Sequence, residues 1–399
     1  MKKTILIVAM SLFFMVGCTN VKLQEGEPEV DKSISFDKTE DVSGIEKKIS
    51  ETPDGVVKFL TEELGGLNIV TMNSLDEDIV LITMCDDDCL EYKYKILDLK
   101  NQKLIRELKG GMRGEYDVYR YENYIVLQNK LNQVIILNKD YSHNTEFTVD
   151  RKLMTEHTPF CVSPSNQKVY FISYDGEDDT ASAFLYSVDY SGDDIELLLT
   201  MHDDGEEVFD FSKMMCSYDE KELYYIGDYF PNRDKDSQSE YCVGTFGLES
   251  KELSMQKAPN YYKLAQGVCG GLWGIGLDNQ GDTYDGKMYY KPLNGEMTFV
   301  TIKNHEDYDW VLEFFYREEP VALTLKNSED ATTGALNGCD IDVYNLNTGK
   351  YIGSAHTESV LYENELCYIS CLGGCLDINF NSETSERKII FTPINWSNE

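Results

Sequence analysis

Histidine is scarce in this chain, five among 399 residues. Any metal centre or acid–base relay has to draw on very few imidazoles. Positive charge is short too: 36 Lys and Arg stand against 71 Asp and Glu, a net charge of −35. Phosphate-rich partners are repelled by such a surface. That sets nucleic acid and anionic lipid aside, and leaves small cations, amines and basic proteins as the electrostatically allowed ligands. After the first 16 residues no apolar run of membrane-spanning length occurs. The glycine-rich phosphate loops of kinases, Rossmann proteins and P-loop proteins are missing, as is a nucleophile elbow. No Ser–His–Asp or Cys–His relay follows from residue order alone.

What the chain does contain is short strands. Residues 157–201 hold four strand-like runs, Pro159–Val162, Val169–Tyr174, Phe184–Asp189 and Ile195–Thr200, separated by turns such as Pro164-Ser165-Asn166 and Ser191-Gly192-Asp193. Alternation without a helical period makes these antiparallel strands. The junction of third and fourth strand recurs, its turn opened by Asp98, Asn138, Asp189, Gly247, Pro292, Asn345 and Asn379. The spacings of 40, 51, 58, 45, 53 and 34 residues are those of propeller blades. The expected fold is therefore all-β, a β-propeller of seven four-stranded blades, with six or eight left open by the uneven repeats. The last copy is expected to hold all four of its strands, ending near Thr392. Residues 163–171 (SPSNQKVYF) and 217–225 (SYDEKELYY) resemble the S-P-D-G-K-x-φ-Y-F repeat of TolB-like propellers. The resemblance implies a fold and a tendency to bind partners rather than a reaction.

The N-terminus has its own signature. Lys2 and Lys3 precede an apolar run from Ile5 to Val16, which ends Met15-Val16-Gly17-Cys18. This series resembles the signal peptide and lipobox of bacterial lipoproteins, with Met15 where Leu is usual. It implies acylation of Cys18 and an extracytoplasmic protein of the bacterial cell envelope, touching the membrane through its lipid anchor only. Removal of residues 1–17 leaves 34 basic against 71 acidic residues, about −37. Residues 19–50 read as a polar, acidic tether and residues 51–399 as the propeller domain. Asp54 as N-cap, the stripe Val56, Val57, Leu60, Leu64, and the terminal Gly65-Gly66 predict one short helix docked on the first blade.

Candidate functional residues fall into three groups. Strand order puts the long loops between second and third strands on one face, and function collects on long loops held by a rigid scaffold. Those loops are acidic, and Asp175, Asp178, Asp179, Asp234, Asp236 and Asp282 are the ligand-binding candidates. His157 and His356, placed in connections just before first strands, are candidate ligands for a divalent metal near the axis; no cofactor is otherwise expected. Cys85 with Cys89, and Cys371 with Cys375, bracket hairpin loops and are expected to form local disulfides, the alternative being one four-thiolate metal site. The remaining strand cysteines read as buried small hydrophobes. The leading expectation is a lipid-anchored, non-enzymatic module that binds a protein or a small cationic ligand through its acidic loops. The rivals are a metal-dependent hydrolase or lyase with a His/carboxylate site, and a scaffold subunit of an envelope complex.

Overall fold

The computed structural model describes residues 52–397 apart from the segments 87–91, 109–115, 130–131, 150–158, 176–181, 202–207, 231–239, 258–260, 267–271, 278–283, 292–297, 302–309, 317–318, 330–335, 359–365 and 382–385. The signal segment with Cys18, and Cys89, His157, Asp178, Asp179, Asp234, Asp236 and Asp282, lie outside the described residues, as does the side chain of Asp175.

One helix opens the described chain, α1 (Pro53–Leu64). Its cap is Thr52 rather than Asp54: the Gly55 N–H donates to Thr52 Oγ1 at 3.3 Å, Pro53 takes the first helical position, and Asp54 sits in the first turn. Proline is tolerated there because its missing N–H would have had no helical partner. Gly65 closes the helix in the left-handed conformation, φ 58°.

Apart from one 3₁₀ turn, the remaining regular structure among the described residues is strand. Sheet A is β1 (Asn68–Asp76), β2 (Ile79–Cys85), β3 (Tyr92–Asp98) and β4 (Lys103–Leu108). Sheet B is β5 (Tyr116–Arg120), β6 (Tyr124–Asn129), β7 (Gln133–Asn138) and β8 (His143–Thr148). Sheet C is β9 (Phe160–Ser163), β10 (Lys168–Asp175), β11 (Ser182–Asp189) and β12 (Ile195–Met201). Sheet D is β13 (Val208–Cys216), β14 (Glu222–Phe230), β15 (Glu240–Gly247) and β16 (Leu253–Lys257). Sheet E is β17 (Tyr261–Gln266), β18 (Leu272–Leu277), β19 (Tyr284–Lys291) and β20 (Thr298–Thr301). Sheet F has β21 (Trp310–Tyr316), β22 (Glu319–Glu329), β23 (Leu336–Asn345) and β24 (Tyr351–Thr357). Sheet G has β25 (Leu366–Ile369), β26 (Gly374–Asn381) and β27 (Glu386–Pro393), after which β28 (Asn395–Trp396) returns to pair with β24 of sheet F. Each sheet is an antiparallel meander in sequence order, so the all-β expectation and the four-stranded repeat unit both hold. The turns expected at Asp98, Asn138, Asp189, Gly247 and Asn345 follow directly on a third strand. The last repeat differs: Asn379 lies inside β26, and among the described residues sheet G has three strands where four are expected.

The chain divides into two compact units. In the first, residues 116–266 and 270–298, one buried core runs through sheets B, C and D, with Val126, Ile136, Val162, Val169, Leu185, Met215, Tyr225 and Phe246 fully covered. The two stretches that resemble one another meet here. Glu220, 5% exposed, reaches from the turn of the second into the turn of the first. It accepts the Ser163 hydroxyl at 2.6 Å, the Ser165 N–H at 2.9 Å and the Ser165 hydroxyl at 2.6 Å. Glu220 stands where the TolB-like pattern has glycine and holds a left-handed φ of 57°. That conformation disfavours a residue with a Cβ, and the three hydrogen bonds offset the strain.

The second unit contains residues 52–115 and 299–399. Here sheet A, the first in the chain, packs on sheet G, the last. Ile69, Met72, Val80, Ile82 and Met84 interlock with Cys367, Ile369, Leu376 and Ile378. The helix does not sit on the first sheet alone; Val56 and Leu60 bury themselves over this seam. Polar bonds stitch the rim: Ser370 donates to Glu77 at 2.5 Å and the Cys371 N–H to Asp78 at 3.1 Å. On its other side sheet G packs on sheet F through Leu366, Tyr368 and Cys375. β28 fastens that contact, with the Ile394 N–H donating to the Gly373 carbonyl and the Ser397 N–H to that of Ile352.

Candidate functional site

The most built polar feature lies on sheet F. In β23 the run Cys339-Asp-Ile-Asp-Val alternates, so Cys339, Ile341 and Val343 point into the core while Asp340 and Asp342 take the opposite face. The hairpin from β23 to β24 fixes what they meet. Asn345 Oδ1 accepts the Thr348 N–H and hydroxyl, both at 3.0 Å, and Gly349 supplies a left-handed φ of 68°. The resulting register sets Asp340 opposite His356 and Asp342 opposite Ser354. On the other side of β23, Lys326 of β22 stands opposite Asp340. Two cross-strand rows thus gather Lys326, Asp340 and His356, then Asp342, Ser354 and Asn395, around an open cleft of about 440 Å³.

Asp340 and His356 are joined directly, Oδ1 to Nδ1 at 2.7 Å, and both are exposed. An ionised carboxylate only accepts, so Nδ1–H is the donor of this bond and Nε2 faces away from it. Gly338 keeps the space beside the ring clear. A Cβ there would come 2.9 Å from the Thr357 carbonyl and 3.5 Å from His356 Cε1. The site offers two carboxylates, an ammonium, an imidazole, a hydroxyl and an amide. Such a set can hold a polar ligand by several hydrogen bonds, and the Asp–His pair can accept and return a proton.

Of the sequence-predicted candidates, His356 alone is placed in this cleft. It was expected in a connection before a first strand and instead lies within β24, because that strand continues to Thr357. Among the described residues no group of three or more His, Cys, Asp or Glu side chains is arranged to hold a metal ion. The expected disulfides are not seen among the described residues. Neither Cys371 nor Cys375 is in a disulfide. Cys375 pairs with Tyr368 across the hairpin, while Cys371 lies in a 3₁₀ turn, Ser370–Leu372, so the two are not facing positions. Cys85 is buried and likewise in no disulfide, while Cys89 lies outside the described residues. Burial and neighbouring acidic groups raise the thiols of this region: Cys367 is pushed up to about 12, chiefly by desolvation, and Cys375 lies well above the usual thiol range. These are inert core side chains.

Sequence reading had not singled out Asp340, Asp342, Ser354 or Asn395. The signal was available for the first three. Alternation along 339–343 and 352–356, folded at the Asn345–Lys350 turn, puts them on one face. Asn395 arrives by the return of β28, which no local pattern announces.

No family model matches the chain, and no curated protein sequence matches it. Among solved structures, it is similar to an oligogalacturonate lyase from Vibrio parahaemolyticus, with a TM-score of 0.47, 10% identity, and 82% of this chain and 91% of that one covered. It is similar to the Kuenenia stuttgartiensis hydrazine synthase, with a TM-score of 0.40, 12% identity, and 82% and 96% covered. It is also similar to Porphyromonas gingivalis dipeptidyl peptidase 4, with a TM-score of 0.39, 11% identity, and 82% and 50% covered. Likenesses of this strength leave the chemistry of the cleft to be read from its own residues.

Proposed function

We propose that the protein is a lipid-anchored, extracytoplasmic β-propeller of seven blades, and that it binds a small polar ligand with a cationic group in the cleft of sheet F. The observation that carries this reading is the cross-strand gathering of Asp340, Asp342, Ser354, His356 and Asn395 around one open cavity. Two carboxylates there outweigh the single Lys326, and the chain around them carries −35 overall, so an amine is favoured over an anion. The acidic loop residues Asp175, Asp178, Asp179, Asp234, Asp236 and Asp282 are read as a further cation-attracting set through their charge alone. The propeller reading is supported by the serial four-stranded meanders and by the packing of the first sheet on the last. Anchoring at Cys18 is supported by the Lys2-to-Cys18 series.

The test is a thermal-shift and calorimetric screen of the mature chain against amines, amino acids and aminosugars. An amine should bind, salt should weaken it, and Asp340→Asn with Asp342→Asn should abolish it without changing the unliganded Tm. Selective binding of anions, lost on Lys326→Met, would overturn the reading. A second reading, a hydrolase or lyase, rests on the 2.7 Å Asp340–His356 pair. It requires turnover of a bound ligand that His356→Gln eliminates while binding survives.

A further inference from the structure

Two cysteines outside the cleft occupy an unusual position. Cys161 in β9 and Cys216 in β13 belong to adjacent sheets of the first unit, 55 residues apart in sequence, and their sulfurs stand 3.4 Å apart. Both are buried, 2% and 1% exposed. Sulfur atoms in van der Waals contact need little further approach to bond, since a disulfide is ~2.05 Å long. The surroundings are mostly apolar or aromatic, with Tyr119, Tyr121, Tyr170 and Tyr225 buried alongside and Glu220 the charged neighbour. The Tyr121 hydroxyl hydrogen-bonds Cys216.

We propose that Cys161 and Cys216 are joined by a disulfide during folding, cross-linking sheets C and D at the centre of the first unit. The electron balance is that of thiol–disulfide exchange. One thiol loses its proton and attacks a sulfur of an external disulfide oxidant, forming a mixed disulfide and releasing one oxidant thiol. The second chain thiolate then attacks the chain sulfur of that mixed disulfide and releases the other. The chain loses two electrons and two protons, and the oxidant becomes two thiols. Timing follows from burial. In the folded protein desolvation holds Cys216 well above the usual thiol range and no oxidant reaches it. The bond therefore forms while the strands are still opening and closing, and once formed it is shielded from reductants. Export, proposed on the separate basis of the N-terminal series, would supply the oxidising compartment; the chemistry itself is tested without it.

The experiment is refolding of the reduced full chain with a glutathione redox pair, then acid quenching, alkylation and peptide mapping. The expected product is a Cys161–Cys216-linked peptide pair, with an intact mass lower by two hydrogens. Fully folded, reduced protein given the same reagent should stay alkylatable at both positions after denaturation. Cys161→Ser and Cys216→Ser should each lower the Tm of oxidised protein by several degrees and leave that of reduced protein much less affected. If the variants fail to fold, the mapping of the unmutated chain decides alone. Recovery of Cys161 and Cys216 as free thiols from oxidatively refolded protein, or linked to other cysteines, overturns the proposal.

Discussion

Asp78 and Cys371 are 293 residues apart in sequence and 3.1 Å apart in space, where the Cys371 N–H donates to the Asp78 carboxylate. Both oxygens share that donor, the second at 3.2 Å. Asp78 also holds a left-handed φ of 57° at the β1–β2 turn, a conformation Asp and Asn tolerate better than most residues.

This contact carries a pH signature. Burial lifts the Asp78 carboxyl above its ordinary 3.8, and the Cys371 N–H pulls it only partly back. A raised folded value means that the fold favours the protonated acid. The associated stability is complete below 3.8 and is lost as pH rises through the folded value. Asp78→Asn cannot ionise and tolerates the same backbone. The stability of the natural chain relative to Asp78→Asn should therefore fall as pH rises from below 3.8 through that window. Urea unfolding at a series of pH values measures it; a widening advantage for the natural chain would mean that hydrogen bonding to the carboxylate outweighs burial.

Glu220 should be a stability residue of the first unit. Glu220→Ala strands the Ser163 and Ser165 donors and keeps a Cβ at a left-handed position, so a loss of about 2–4 kcal/mol is expected. Glu220→Gly loses the same bonds but relieves the strain, and should cost about 1 kcal/mol less than the alanine variant. Denaturant midpoints at unchanged m would give both numbers. Equal costs would mean the backbone strain is not felt.

Gly374 tests the close approach inside sheet G. A Cβ there would run into the Thr392 carbonyl and the Phe391 ring, and backbone cannot swing aside as a side-chain tip can. Gly374→Ala is expected to cost about 1–3 kcal/mol by overpacking. Thermal unfolding is the readout, and a neutral result would show that β27 shifts freely.

Anchoring is tested at Cys18. Cys18→Ser should leave the protein unprocessed or unanchored, seen as loss of detergent-phase partitioning and of metabolically incorporated fatty acid. Partitioning equal to that of the natural chain would remove the lipoprotein reading.

How much of this was legible beforehand depends on whether the information is local. The strands of sheet C were readable because turn residues bracket each alternating run, and Phe160–Ser163, Lys168–Asp175, Ser182–Asp189 and Ile195–Met201 lie within two residues of expectation. The second strand of sheet G was not, because Asn379 reads as a turn residue yet is overruled by pairing with Lys388. Strand propensity yields to such tertiary context. The helix was readable from its apolar stripe and Gly65, but its seat across two sheets depends on residues 300 positions downstream, to which no local pattern refers. The same holds for the cleft: His356 drew notice for its rarity, whereas its partner Asp340 looked like one carboxylate among 71 acidic residues.

The seam between sheets A and G has a consequence for the order of assembly. Among the described residues the second unit joins residues 52–115 to residues from 299 onward, and the first unit is formed by residues between them in sequence. Ile69, Met72 and Ile82 therefore have to wait for Cys367, Leu376 and Ile378, which emerge roughly 300 residues later. Sheets B, C and D can complete their shared core in the interval, since they follow one another along the chain. During that wait the apolar face of sheet A is uncovered, and a chain in this state is the one most exposed to aggregation and proteolysis. The slowest folding step should be the arrival of the last strands, and holding factors that act on this protein should engage its first sheet.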